Sequence, residues 1–258
     1  MNDEQDRLVR YDAGRGVATV TLDSQHNRNA LSARLVAELS AGLTEAGADP
    51  GVRVVVLTHA GRVFCSGADL AAAGSGSVSD ANTAILTVLR LIVELPKPVM
   101  ARIAGPVRAG GMGIVGACDL VVAAESANFA FTEARIGVAP AMISLTTLDV
   151  MDPRQAARYW LTGETFGSAA AARLGLITVA CGDAEIDDVT GDLAAQILAT
   201  SPQGSAETKK LLTAARRQRL AADGPDMAAL SARLFASDEA QEGIHAFMER
   251  REPAWRSS

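Results

Sequence analysis

Apolar and polar positions first alternate over Val17-Ala18-Thr19-Val20-Thr21-Leu22, where β-branched residues at a two-residue period predict a strand. A loop from Asp23 to Asn29 follows. The period then lengthens, with Leu35, Leu39 and Leu43 recurring on one helical face behind the capping residue Ser32, so a helix is predicted from about Ser32 to Ala46. Asp49-Pro50-Gly51 is a turn. Val52 to Thr58 is nearly all apolar, the pattern of a strand covered on both faces. Further along, a helix is expected over Ala81 to Glu94, halted by Pro96-Lys97-Pro98. A strand from Val99 to Ala104, a Gly-rich turn with a helix through Val115, and strands over Asp119 to Ala123 and Asn128 to Phe131 complete this half.

From Pro153 the pattern becomes helical, over Arg154 to Leu161, Ser168 to Leu174, Asp187 to Thr200, Ser205 to Ala221, Met227 to Ala236 and Ser237 to Arg250. Alternating strands and helices followed by helices alone predict an α/β core, residues 1–190, with a helical region over 191–258. No fixed-period repeat is visible. The segment Ala71 to Asp80, rich in Gly, Ser and Ala, reads as a mobile loop.

Composition narrows the function classes. With 48% apolar and 21% charged residues the 258-residue chain is an ordinary globular sequence. A net charge of −6 argues against a general nucleic-acid binder, which needs a basic face. The most apolar stretch, Met112 to Ala124, is too short to span a bilayer and contains Asp119. The acidic start Met1 to Asp6 does not read as a signal peptide. Cys65, Cys118 and Cys181 form no C-x-x-C pair, so neither a disulfide framework nor a zinc site is expected, and the plain expectation is a cytoplasmic protein.

Two segments carry candidate chemistry. Phe64-Cys65-Ser66-Gly67-Ala68-Asp69-Leu70 and Ala109-Gly110-Gly111-Met112-Gly113 each follow an apolar run and read as a strand-to-helix turn with exposed backbone N–H groups. One such turn is an ordinary βα connection. Two could converge on one oxygen and hold a developing oxyanion. Glu133 lies in the mostly apolar stretch Phe129 to Val138, which would raise its pKa toward neutrality, but a surface carboxylate paired with Arg135 fits the residues equally well. Gly111-Met112-Gly113-Ile114-Val115-Gly116 fits G-x-G-x-x-G, the mark of a dinucleotide fold. However, Pro106 to Gly110 separate it from the strand, and Asp119 comes too early for a ribose-binding acid. The histidines His26, His59 and His245 show no metal-binding spacing and read as structural or exposed, and no G-x-S-x-G elbow is present. Lys209-Lys210 and Arg216-Arg217-x-Arg219 read as a solvated helix face, or one that meets phosphates.

Taken in order, Phe64-x-x-Gly67-Ala68-Asp69-Leu70, the Gly110-Gly111 pair, Cys118-Asp119-Leu120 and Phe129-x-x-x-Glu133-x-x-x-Gly137-x-x-Pro140 resemble the crotonase (enoyl-CoA hydratase/isomerase) superfamily. Leu161-Thr162-Gly163-Glu164, Ala171-x-x-Leu174-Gly175-Leu176-Ile177 and Glu242-Gly243-x-x-Ala246-Phe247-x-x-Arg250-Arg251 extend the resemblance over nearly the whole chain. It implies a spiral of ββα units with a C-terminal helical region, and an acyl-CoA substrate. No cofactor is implied beyond the coenzyme A that the substrate carries. Assembly as a homotrimer, or a hexamer built from two trimers, is implied with no nucleic-acid or membrane partner. The N–H groups of Ala68 and Gly110 would hold the thioester oxygen, and Glu133 would be the acid–base residue. Arg28 and Ala30, in Asn27-Arg28-Asn29-Ala30-Leu31, would line the coenzyme A entrance, where a solvated loop arginine is the plain alternative. Ser66 would meet the adenine through its backbone, and Gly67, Asp69, Leu70, Gly111, Gly113, Pro140 and Met142 would complete the substrate site. Cys65 reads as packing rather than nucleophile.

One departure stands out. Where many hydratases of this family carry another glutamate, three residues after the oxyanion-hole glycine, this chain has Gly113. Together with Ala139-Pro140-Ala141-Met142-Ile143-Ser144 this resembles a subgroup of single-glutamate hydratases acting on methylglutaconyl- or isohexenylglutaconyl-CoA. A 2-enoyl-CoA hydratase is the expected activity. An enoyl-CoA isomerase, or an acyl-CoA-binding scaffold without catalysis, are the alternatives.

Overall fold

A computed structural model describes residues 7–69 and 78–256. The strands are β1 (Val9–Gly14), β2 (Val17–Leu22), β3 (Val54–His59), β4 (Val99–Ile103), β5 (Val107–Arg108), β6 (Leu120–Ala124), β7 (Asn128–Ala130), β8 (Phe166–Gly167) and β9 (Val179–Cys181). The helices are α1 (Ala33–Ala48), α2 (Val78–Glu94), α3 (Gly110–Ala117), α4 (Ala141–Thr147), α5 (Pro153–Thr162), α6 (Ser168–Arg173), α7 (Ile186–Leu198), α8 (Pro202–Leu212), α9 (Ala214–Ala222), α10 (Gly224–Phe235) and α11 (Asp238–Glu249). No helix among the described residues is long and apolar enough to cross a membrane.

Two sheets organise the α/β core. The larger runs β1-β2-β3-β4-β6-β9, with β1 antiparallel to β2 and every later pairing parallel. The smaller runs β5-β7-β8. The unbroken apolar run of β3 has the two-sided cover its composition demands. Val55 and Leu57 join Leu35, Leu39, Leu89 and Ile92 of α1 and α2, while Val54 and Val56 face Ile186 and Ala194 of α7. Helix α7 therefore runs through residue 190, where strand patterns end, and contributes to the core. Ser32 caps α1 as expected, its Oγ accepting from Leu35 N at 3.3 Å.

The helical end differs from expectation in two ways. The helix predicted over Ser205 to Ala221 is two, α8 and α9, parted at Thr213 (φ −96°, ψ 3°), whose hydroxyl donates to the Lys209 carbonyl. The basic run is also not a solvated face. Lys209, 4% exposed, donates to Ile92 O (2.7 Å) and Lys97 O (3.0 Å) and pairs with Asp119 at 2.7 Å. Arg216, 8% exposed, pairs with Asp149 at 3.0 Å, and Arg217 donates to Glu94 O at 2.8 Å. These side chains end loops and helices of the core, so the ion pairs fasten the tail to it. Only Lys210 keeps the expected exposed position, beside Glu207.

Candidate active site

Three main-chain pairings gather the candidate residues at one place. Leu31 bridges Ala68, Cys65 bridges Val107, and Arg108 of β5 pairs with Ala130 of β7. Four distant segments thereby lie side by side, with Glu133 three residues beyond the last pair and Gly110 two beyond Arg108. The first candidate turn does not open a helix over its described part. Gly67 has φ +96°, Ala68 sits in the bridge, and the next described helix is α2. Leu70 lies outside the described residues, as does most of the expected loop Ala71 to Asp80. The second turn does open a helix, α3, with Gly110 as its first residue.

The two turns touch. A Cβ on Gly67 would stand 2.9 Å from the Ala109 Cβ, and one on Gly110 would stand 2.8 Å from Leu31 Cδ1. At 67, where φ is positive, a Cβ would push the two turns apart, while at 110 it would displace the tip of the Leu31 side chain. Ala109 takes the uncommon pair φ 45°, ψ −118°, a strained conformation that persists only when its surroundings enforce it. They do so here through Ala109 N to Ala130 O at 3.2 Å, Arg108 N to Cys65 O at 2.9 Å, and the Arg108 guanidinium on Asn128 O at 3.0 Å. Among the described residues no protein acceptor receives the N–H of Ala68 or of Gly110. Ala68 is exposed and Gly110 half-buried, so both donors are open to a ligand.

Glu133 heads a short 3-10 turn, Glu133–Ile136, and is 9% exposed. Burial pushes its carboxyl from 4.5 up to about 7, opposed only by its own backbone N–H. Its Oε2 has no hydrogen-bond partner. The alternative pairing with Arg135 is absent, because Arg135 Nε donates to Thr162 O at 2.9 Å. Helix α11 braces this turn from behind. A Cβ on Gly137 would lie 2.6 Å from Glu239 O, and one on Gly243 would lie 2.5 Å from the Ile136 carbonyl carbon. A buried carboxylate whose pKa is raised toward neutrality can exchange protons with carbon or water, and two free N–H donors can hold a carbonyl oxygen that gains charge as it does so.

The other expected residues fall as follows. Arg28 is exposed, and its carbonyl accepts from Ser66 N at 3.2 Å. The Ser66 Oγ donates to Asn27 O at 3.2 Å. Ala30 and Met142 are buried, and Asp69 and Pro140 half-buried. Cys65 is wholly buried and its thiol pushed up to about 12, so it packs rather than attacks. The G-x-G-x-x-G run lies inside α3, not at a strand end, with Gly113 against Ile143 and Gly116 against Thr146. Its glycines serve helix packing, not a dinucleotide. Asn29 has a structural role that no local pattern signals. Buried at φ 54°, it accepts from Ser24 N (2.7 Å) and donates to Val63 O (2.7 Å), tying the Arg28 loop to the Gly67 turn.

Residues 12–258 match the family described as enoyl-CoA hydratase/isomerase. The chain belongs to that family. A protein named probable enoyl-CoA hydratase from Rhodobacter capsulatus is 34% identical over 258 residues, covering 95% of this chain and 96% of its own. One of the same name from Bacillus subtilis is 30% identical over 248 residues, covering 93% of this chain and 95% of its own. The crystal structure of an enoyl-CoA hydratase from Mycobacterium avium superposes with a TM-score of 0.90 at 50% identity, covering 97% of this chain and 99% of that one. The expected crotonase fold is therefore present, and the chain is an enzyme of this superfamily with an acyl-CoA as the substrate class.

Proposed function

We propose that this protein is a 2-enoyl-CoA hydratase working through a single carboxylate, and that Arg28, Ala30, Ser66, Gly67, Asp69, Leu70, Gly111, Gly113, Pro140 and Met142 surround the acyl-CoA. The observation that carries this reading is Glu133: buried, poised near pH 7, with one unpartnered oxygen, on a chain segment paired to the one that presents Gly110. The thioester oxygen lies between the Ala68 and Gly110 N–H groups. Glu133 takes a proton from water as the water oxygen bonds to C3, and the π electrons move through C2 onto the thioester oxygen as an enolate. The enolate then collapses as the same carboxyl returns the proton to C2. Each N–H donor of such a pair is worth about 3–4 kcal/mol in the transition state. No cofactor takes part beyond the coenzyme A of the substrate.

A branched or carboxylated acyl group, as in the glutaconyl-CoA subgroup, is the substrate class that the Gly113 and Pro140 to Ser144 departures favour. The protein acts as a cytoplasmic homotrimer or dimer of trimers. Leu161, Leu211 and Leu212 are 79%, 79% and 77% exposed, and Phe247 and Met248 are more than half exposed, apolar surface that a partner subunit would cover. The three cysteines are free and buried, in keeping with a reducing compartment. Product analysis on straight, branched and carboxylated 2-enoyl thioesters beside their 3-enoyl isomers tests the reading. A 3-hydroxyacyl product supports it. Double-bond migration alone would make the enzyme an isomerase, and binding without turnover would make it a scaffold.

A further inference from the structure

At Gly113 and Gly116, helix α3 meets α4 without a side chain of its own. A Cβ on Gly113 would stand 2.8 Å from Ile143 Cγ2, 3.2 Å from its Cβ and 3.4 Å from its Cα. One on Gly116 would stand 2.7 Å from Thr146 O. The Thr146 hydroxyl donates to Gly113 O at 2.8 Å, which fixes the register of the two helices. Ile143 is 2% exposed. A β-branched residue in a helix has one strongly preferred χ1, so turning Cγ2 away is costly, and the Ile143 Cβ at 3.2 Å would still have to give by a few tenths of an ångström. Gly113 lies one turn beyond the free Gly110 N–H, so a side chain there would start beside the oxyanion site, and Ile143 now fills its origin.

We propose that Ile143 decides the chemistry of this site: it occupies the place where α3 would present a second carboxylate and its water, which leaves Glu133 as the sole proton-exchanging group. The missing glutamate is then not a simple vacancy but half of a matched pair, Gly113 with Ile143. This claim rests on the hydratase reading above and specifies how the proton is handled within it.

The test is a double-mutant cycle on the full-length protein, read by thermal melting at fixed concentration and by hydration of a 2-enoyl-CoA. Gly113→Glu alone is expected to melt lower than the wild type and to hydrate more slowly. Adding Ile143→Gly is expected to restore melting relative to Gly113→Glu and to raise hydration at least about tenfold, within the range of one acid–base group. The pH profile of that double variant gains a second ionisation. Because a buried carboxylate brings its own desolvation, the melting cycle is repeated with Gly113→Ala, whose one methyl has its three nearest neighbours in Ile143. Helix-propensity effects cancel in the cycle, leaving the pairwise coupling. Gly113→Ala should destabilise the wild type but not the Ile143→Gly background. Equal effects of Gly113→Ala in both backgrounds would overturn the role of Ile143, even where wild-type hydration stands. If the wild type hydrates no thioester, the functional reading falls on that result, while the melting cycle still decides the packing claim.

Discussion

Replacing Glu133 by Gln removes a titration and little else, and the structure sets the size of the effect. The carboxyl is raised by burial from 4.5 to about 7. The folded state therefore holds its proton more tightly than the unfolded state does, and stability contributed by this group falls as pH rises. The fall begins near 4.5 and is complete above about 7. Ionised Glu133 costs the wild type about 3 kcal/mol at alkaline pH, a figure good to its order of magnitude. The Gln variant has no such dependence at this position. Urea unfolding of both proteins at fixed concentration, from about pH 4 to 9, should give curves that are close at the acidic end and diverge in favour of Gln as pH passes through the window. Parallel curves would show that Glu133 is not desolvated in the folded protein, and the argument for its catalytic poise would lose its basis.

Other consequences are as direct. Hydration turnover should rise with pH through about 7 and then level off as Glu133 ionises, and a flat profile between about pH 5 and 8 would contradict its role as base. Gly67→Ala places a Cβ at φ +96° and 2.9 Å from the Ala109 Cβ, spreading the two donor turns, so turnover should drop about a hundredfold while the protein still folds; unchanged turnover would remove Ala68 and Gly110 from the mechanism. Lys209→Met removes the cation that pairs with the half-buried Asp119, which keeps its bond from Val99 N, and should lower unfolding free energy by about 3 kcal/mol, measured by denaturant titration, and a loss under about 1 kcal/mol would mean the pair does not fasten the tail.

Much of this molecule is written in local patterns. The period-two alternation of β2, the apolar run of β3 and the Ser32 cap each recur in the structure because one face or two faces of each element must be buried. The Gly67 turn was legible for a similar reason, since φ +96° and the nearby Ala109 Cβ favour glycine there. What escaped was non-local. Lys209 and Arg216 look like a surface stripe until their partners, Asp119 and Asp149, arrive from distant segments. The break at Thr213 falls between those two anchors, where the Thr213 hydroxyl bonds the Lys209 carbonyl. Nothing near Ala109 in sequence signals its strained backbone, which is enforced by Cys65 and Ala130. Gly113 read as an absence, and its meaning appeared only when α4 brought Ile143 against it.

In the proposed reaction one buried carboxylate hydrates an enoyl thioester held by two backbone N–H groups. Its most direct test is to follow the conjugated absorbance of a 2-enoyl-CoA with the wild type and with Glu133→Gln, measuring acyl-CoA binding to both. Hydration by the wild type is expected, and for the variant retained binding with turnover lower by at least about a hundredfold. A Glu133→Gln enzyme that turns over at near the wild-type rate would contradict it.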